Sequence, residues 1–260
     1  MLENLNTNIS IKKIDRDDEI KELLHFGLAL VNDNKISEVN QFIESIFRNT
    51  TLLGKLKTKH WEYLASISLF AGKFNLTKAC FVRSNNLESC AFVSILTGDY
   101  NEAKVILLNC VKSPVTSWCN YLISLHENKL SLRFHPSFLQ VRNFLELTVQ
   151  GLLRSGNSDL LHKIENNIDL LLDINLDAYK LIGISYYLFG DINSAKEILT
   201  QCLDLNRYDG ELYYHLSKVY TDLGDYETAY KMIKNARVMM PNHYASKLQE
   251  SHCLEVISNI

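Results

Sequence analysis

Apolar and polar residues alternate along most of the chain with the period of an amphipathic helix. Near the carboxyl end, one order of small, aromatic and apolar residues occurs twice, as ISYYLFGDINSA from position 184 and KVYTDLGDYETA from position 218. The glycines Gly156, Gly190 and Gly224 are each 34 residues apart. A period of this length with two helical patterns in each unit predicts a helical solenoid.

Turn signals separate the two helices of each unit. Gly190 and Gly224 are expected to end a first helix in the left-handed conformation that a Cβ atom would disfavour. An N-cap residue then starts the second helix, at Asp99, Asp191 and Asp225. Glu102 adds a capping-box pattern to the first of these, and Pro241 is expected to stop the last second helix.

These units resemble the tetratricopeptide repeat (TPR) family, in which each repeat is a pair of antiparallel helices. The repeat from Gly210 matches strongly, through Tyr213, Leu216, Ser217, Tyr220, Gly224, Tyr226, Ala229, Ile233, Ala236 and Pro241. The repeat from Leu176 matches through Tyr179, Ile182, Gly183, Tyr186, Gly190, Ile192, Ala195, Leu199 and Cys202. Two helices approach closely only where side chains are small, which predicts contacts of Gly183 with Ala195 and of Ser217 with Ala229.

Weaker repeats begin at Ile20, Thr58, Ser84 and Arg142. The repeat from Thr58 has only 26 residues before the next one, so its second helix must be clipped or irregular. Asn34 takes the place of the turn glycine in the first repeat, because Asn tolerates the left-handed backbone. The cysteines Cys90, Cys110 and Cys202 fall at interhelix positions and are predicted to be small buried apolar residues.

The resemblance implies an all-α, right-handed superhelical solenoid of antiparallel helix pairs, with a C-terminal capping helix. Its predicted parts are an extended or loosely docked N-terminus (1–19), a degenerate TPR-like block (20–117), a linking segment (118–141), a C-terminal TPR block (142–243) and the cap (244–260). The linking segment is either a divergent repeat or a lone helix and loop. The cap is predicted to be amphipathic, with Tyr244, Leu248, Leu254 and Ile257 opposite Lys247, Glu250 and Glu255.

Composition narrows the classes of function. The 260 residues are 47% hydrophobic and 22% charged, which argues against disorder of the whole chain. No run of about 18 apolar residues occurs, and Met1–Asn8 lacks a secretory pattern, so neither a membrane span nor export is predicted. A net charge of −3 does not favour a nucleic-acid partner. Six cysteines without a C-x-x-C pair favour reduced thiols and a cytoplasmic location.

The sequence contains none of the common phosphate-binding, metalloprotease or serine-hydrolase motifs. We therefore predict no enzymatic activity, no catalytic residue, no cofactor and no metal site. The histidines are scattered, and His215 is either a solvated helix residue or a contact to a ligand.

In TPR arrays the first helices line a concave groove, and the resemblance assigns eight residues to it. These are Glu146, Gln150, Lys180, Ile184, Tyr187, Tyr214, Lys218 and Thr221. The predicted function is a non-catalytic scaffold or adaptor that binds a peptide or helix of another protein there. Lys180 and Lys218 would pair with an acidic residue of that ligand. Two alternatives stay open: a structural subunit of a larger assembly that self-associates through the ends of the solenoid, and an RNA-binding helical repeat.

Overall fold

The helical periodicity is confirmed by the computed structural model, which describes residues 16–33, 35–129, 138–167 and 176–259. Within these ranges every regular element is an α-helix, and consecutive helices joined by short turns pack as antiparallel pairs. The all-α class is therefore confirmed, whereas the handedness of the superhelix stays a prediction. The predicted turn at Asn34, the N-terminal residues 1–15 and the loop at 130–137 lie outside the described residues.

Contacts divide the chain into two compact units, residues 1–123 and 124–260. The predicted five-part division stays a prediction. The helices of unit 1 are α1 (Asp17–Asn32), α2 (Ile36–Arg48), α3 (Thr50–Leu53), α4 (Thr58–Phe70), α5 (Phe74–Arg83), α6 (Leu87–Leu96) and α7 (Tyr100–Leu107). The next helix, α8 (Pro114–His126), contains the boundary between the units.

The helices of unit 2 are α9 (Phe138–Ser155), α10 (Ser158–Glu165), α11 (Leu176–Phe189), α12 (Ile192–Leu205), α13 (Gly210–Asp222), α14 (Tyr226–Met239) and α15 (Tyr244–Ser258). The second helices differ in length along the chain. Helices α12 and α14 have 14 residues each. Helix α5 has only 10 residues, as predicted for a clipped second helix, and α7 has 8.

The turn chemistry of the repeats is confirmed. Gly190 and Gly224 have φ angles of +86° and +77°. Asp191 and Asp225 then accept a hydrogen bond from the backbone N–H three residues later, which caps α12 and α14. Asp99 caps α7 in the same way, but the carboxylate of Glu102 accepts hydrogen bonds from Lys78 and Ser94 instead of completing a capping box.

Small residues allow the helix pairs of unit 2 to approach closely. Gly183, Ala195, Ser217 and Ala229 are all buried, as predicted. The nearest side chain to Gly183 is that of Leu199, whose Cγ would lie 2.8 Å from an added Cβ. A larger residue at this position would therefore force the two helices apart.

Replacing Ala229 with Phe is expected to lower the free energy of unfolding by about 1–3 kcal/mol, because the side chain has no solvent exposure and no room to grow. Urea denaturation followed by circular dichroism measures this change. Lys231→Phe on the exposed side of the same helix is the matched control and should change stability little. Equal stabilities of the two variants would contradict the predicted register.

The last helix buries a different side from the one predicted. Its buried residues are Ser246 and Cys253, whereas Tyr244 and Leu248 are 71% and 54% exposed. Ser and Cys are small, so they allow α15 to approach α13 and α14 closely. Glu250, predicted to face water, forms an ion pair with Arg237 of α14.

All six cysteines are free thiols. Cys90 and Cys202 are buried, as predicted. Cys110 is only half-buried, because α7 ends at Leu107. A longer helix would have placed Cys110 between two helices, as predicted.

Candidate functional site

The first helices of unit 2 pack side by side, α9 against α11 and α11 against α13. We call the surface they share the first-helix face. All eight residues predicted for a groove lie on these three helices. Glu146 and Gln150 on α9 are exposed, and Lys180 on α11 is buried. The other five are half-buried, namely Ile184, Tyr187, Tyr214, Lys218 and Thr221.

Three of the eight residues form one cluster. The Nζ atom of Lys218 lies 4.9 Å from the ring centroid of Tyr187 and 5.9 Å from that of Tyr214. These cation–π contacts connect α11 to α13. Burial and a hydrogen bond to Asp222 raise the pKa of the Tyr187 hydroxyl, so it remains a neutral donor. The cluster is therefore an ordered aromatic surface with a single cation between two rings.

Lys180 does not project from this face as predicted. Its Nζ lies 2.7 Å from Oε2 of Glu211, 2.9 Å from Oδ2 of Asp209 and 3.4 Å from Oδ1 of Asp177. Burial alone would lower the pKa of Lys180, but the hydrogen bonds to Glu211 and Asp209 outweigh it and raise the pKa. Lys180 therefore joins α11 to the start of α13 instead of offering a charge to a ligand.

Asp209 serves two roles at this junction. Its Oδ1 accepts hydrogen bonds from the backbone N–H groups of Glu211 and Leu212 and so caps α13, while its Oδ2 binds Lys180. A pocket of about 200 Å³ lies beside it, lined by Leu176, Asp177, Lys180, Asn206, Asp209 and Leu212. This volume is below the roughly 300–1,000 Å³ of typical small-molecule sites.

The last helix contributes to the first-helix face, which the sequence analysis did not predict. Nε2 of Gln249 on α15 donates a hydrogen bond of 2.9 Å to the Thr221 hydroxyl. The ring of His243, the N-cap residue of α15, meets the ring of Tyr214 edge-on at 5.0 Å. The signal was available in the sequence, because Tyr244 follows Gly210 by one 34-residue step and so begins the first helix of a further unit.

His215 is not a solvated residue, and a contact to a ligand stays a prediction. Its imidazole is largely buried, and burial lowers its pKa to about 4. The ring lies 5.1 Å from that of Tyr214 in an edge arrangement, and its Nδ1 atom is buried without a hydrogen-bond partner among the described residues. His215 is therefore a half-buried residue of α13 whose imidazole is neutral at pH 7.

The family comparison agrees with this architecture. A family model described as tetratricopeptide repeat matches residues 176–209 and 210–236. These residues are tetratricopeptide repeats. The two TPR units found this way start at Leu176 and Gly210, the same positions as the two strong repeats of the sequence analysis.

The solved structures that match this chain share little sequence with it. A chain of the APC/C hetero-tetramer Cut9–Hcn1 has 12% identity and a TM-score of 0.35 over 89% of this chain and 42% of that one. A TPR protein from Parabacteroides merdae ATCC 43184 has 14% identity and a TM-score of 0.38, over 90% and 98%. Yeast Tom70 has 10% identity and a TM-score of 0.30, over 95% and 67%. This chain thus spans less than half of the matched Cut9–Hcn1 chain.

A search of curated proteins finds no match to this sequence. In the part of the chain that the structure describes, none of the helices combines the length and the apolar character that a membrane crossing requires. Across the same ranges, no group of three or more His, Cys, Asp or Glu side chains is placed to hold a metal ion.

Proposed function

We propose that this TPR protein is a non-catalytic scaffold or adaptor that binds a segment of another protein on the first-helix face of unit 2. TPR folds generally mediate protein–protein interactions and are typically non-catalytic. The fold alone does not select a binding surface, so the proposal depends on the residues of that face.

The cluster of Tyr187, Tyr214 and Lys218 is the observation that supports this proposal. Tyr side chains provide large contact areas at a low entropic cost, and they are enriched where proteins bind one another. Here the cation–π contacts already fix both rings before a ligand arrives. A partner that covers them would lose little additional side-chain freedom from this surface.

The charges of the face suggest how a ligand is oriented. Lys180 is neutralised by Asp209 and Glu211, so Lys218 is the groove lysine that remains to pair with an acidic group of the ligand. Such a pair at the rim of an interface sets orientation and association rate more than affinity. The ligand would therefore combine an apolar or aromatic contact to the rings with an acidic group near Lys218.

The double variant Tyr187→Ala/Tyr214→Ala is expected to weaken binding of a partner isolated with the full chain by at least about tenfold, or 1.4 kcal/mol. Titration of the purified partner measures this loss. Tyr208→Ala is the matched control, because Tyr208 is 91% exposed and lies between α12 and α13. Undiminished affinity of a folded double variant would remove the first-helix face as the binding site.

The exposed apolar residues of α15 favour a second candidate function, a subunit that self-associates through the end of its repeats. Tyr244 and Leu248 are both more than half exposed there, whereas Cys253 of the same helix is buried. Size-exclusion chromatography with light scattering separates the two functions. A dimer that dissociates on Leu248→Lys would support the subunit, and a monomer at all concentrations would support the adaptor.

A further inference from the structure

The outer sides of α5 and α7 differ from those of the other second helices. Their N-cap residues give a common register: Lys73 for α5, Asp99 for α7, Asn157 for α10, Asp191 for α12 and Asp225 for α14. The sixth and ninth residues after the N-cap are polar in unit 2, namely Lys163 and Asn166, Glu197 and Thr200, and Lys231 and Lys234. In unit 1 they are apolar in α5 and α7, namely Ala79 and Val82, and Val105 and Leu108, whereas in α2, whose N-cap is Lys35, they are the polar residues Gln41 and Glu44.

These apolar side chains of unit 1 face solvent. Val82 is 57% exposed, Val105 63% and Leu108 85%, and Val111 in the turn after α7 is 87% exposed. The ion pair between Lys78 on α5 and Glu102 on α7 holds the two helices next to each other. We call Val82, Val105, Leu108 and Val111 the outer strip. Clustered exposed aliphatic residues of this kind mark interaction sites more often than singly scattered ones.

Basic residues are the sequence neighbours of the outer strip. The exposed basic residues beside it in sequence are Arg83, Lys104 and Lys112. The nearby carboxylates are engaged inside the unit. Glu88 accepts a hydrogen bond from Ser113, Asp99 caps α7, and Glu102 binds Lys78 and Ser94. Residues 50–112 contain eight Lys or Arg against four Asp or Glu, so the complementary surface is acidic.

We propose that the outer strip of unit 1 docks an amphipathic segment of a partner protein, with aliphatic side chains on one side and Asp or Glu along its edges. A second copy of this chain fits less well, because its own cations would meet those of the first. An anionic membrane also fits less well. The strip has no Trp or Tyr to anchor it at an interface, and the chain as a whole has a net charge of −3.

The test uses the full chain and two labelled synthetic peptides with the same leucine face. One peptide carries Glu on its polar side and the other carries Lys. Fluorescence anisotropy should show the Glu peptide binding at least about tenfold more tightly than the Lys peptide. The variant Val105→Glu/Leu108→Lys should lower the affinity for the Glu peptide by at least about tenfold.

This variant copies Glu197 of α12 and Lys234 of α14 and leaves the net charge unchanged, so the fold should accept it. Circular dichroism and thermal melting verify folding. If the double variant unfolds, Leu108→Asn takes its place, because it copies Asn166, the residue that follows α10. Tyr187→Ala/Tyr214→Ala should bind the Glu peptide like the wild type. This control separates the outer strip from the first-helix face, so that failure of one proposal leaves the other intact.

Several results would overturn the proposal. These are equal affinities for the two peptides, unchanged binding by the folded outer-strip variants, or loss of binding in the tyrosine variant alone. Sedimentation with phosphatidylserine vesicles in the absence of peptide binding would assign the strip to a membrane instead. A dimer in light scattering that Val105→Glu/Leu108→Lys dissociates would assign it to a second copy.

Discussion

Replacing Lys180 with Met is expected to lower the free energy of unfolding by about 3 kcal/mol, because it leaves buried carboxylates without their cation. The side chain of Lys180 is only 8% exposed and that of Asp209 only 17%. Glu211 is half exposed, so water solvates its carboxylate when Lys180 is removed. The loss of unfolding free energy therefore stays near the lower end of the range for breaking a buried ion pair. Urea denaturation at neutral pH measures the change.

The control for this prediction removes the charge of Lys180 together with those of its two nearest carboxylates, Asp209 and Glu211. Lys180→Met/Asp209→Asn/Glu211→Gln should recover most of the lost stability, since Asn caps a helix about as well as Asp. The carboxylate that remains, Asp177, is the most distant of the three from Lys180 and is 32% exposed, so water solvates it. Lys231→Met, at an exposed lysine of α14, should have little effect. A cost below about 1 kcal/mol for Lys180→Met would mean that the cluster around Lys180 contributes little to joining α11 and α13.

Lowering the pH from 7.5 to 5 is expected to remove about 2 kcal/mol of unfolding free energy through His215 alone. Burial lowers the pKa of His215 in the folded protein to about 4, whereas an unfolded His titrates near 6.5. Between these values the unfolded chain binds the proton and the folded protein does not. Stability therefore falls as the pH falls through this window, and the loss is complete, at about 3 kcal/mol, below pH 4.

The charged groups around His215 act on its pKa in both directions. Glu211 favours the charged imidazole, while Lys218, Lys180 and His243 oppose it, and burial outweighs all of them. Urea denaturation of the wild type and of His215→Leu at pH 7.5 and 5 isolates the contribution of His215. The variant should lose about 2 kcal/mol less over this range, and His252→Gln, at an exposed position, should follow the wild type. Parallel pH profiles of the wild type and His215→Leu would contradict a buried neutral His215.

Local rules predicted the repeats well. The left-handed glycines, the Asp caps and the small buried residues of unit 2 could all be predicted from the sequence. Each depends on the chemistry of a few consecutive residues or on a repeat of fixed length. The clipped second helix from Phe74 followed from spacing in the same way.

Predictions about individual side chains on the first-helix face were less successful. Spacing placed Lys180 on the correct helix, but its carboxylate partners Asp209 and Glu211 come from the start of a different helix. The contacts of Lys180 with these carboxylates form only when α11 and α13 are packed together, so the spacing within one helix cannot predict them. The same holds for His215, because burial by neighbouring elements determines whether a helical histidine is charged or neutral.

The sequence by itself determined the two repeats from Leu176 and Gly210, the helical class and the turns, since a 34-residue period and its glycine and aspartate signals depend only on local chemistry and chain order. The tertiary structure alone decided which side of α15 is buried. There the apolar pattern pointed to Tyr244 and Leu248, yet the neighbouring helices select the small side chains Ser246 and Cys253. The tertiary structure also decided that Val105 and Leu108, which follow the N-cap Asp99, stay exposed. Burial depends on which surfaces the packed helices leave open, and no periodicity within one helix contains that information.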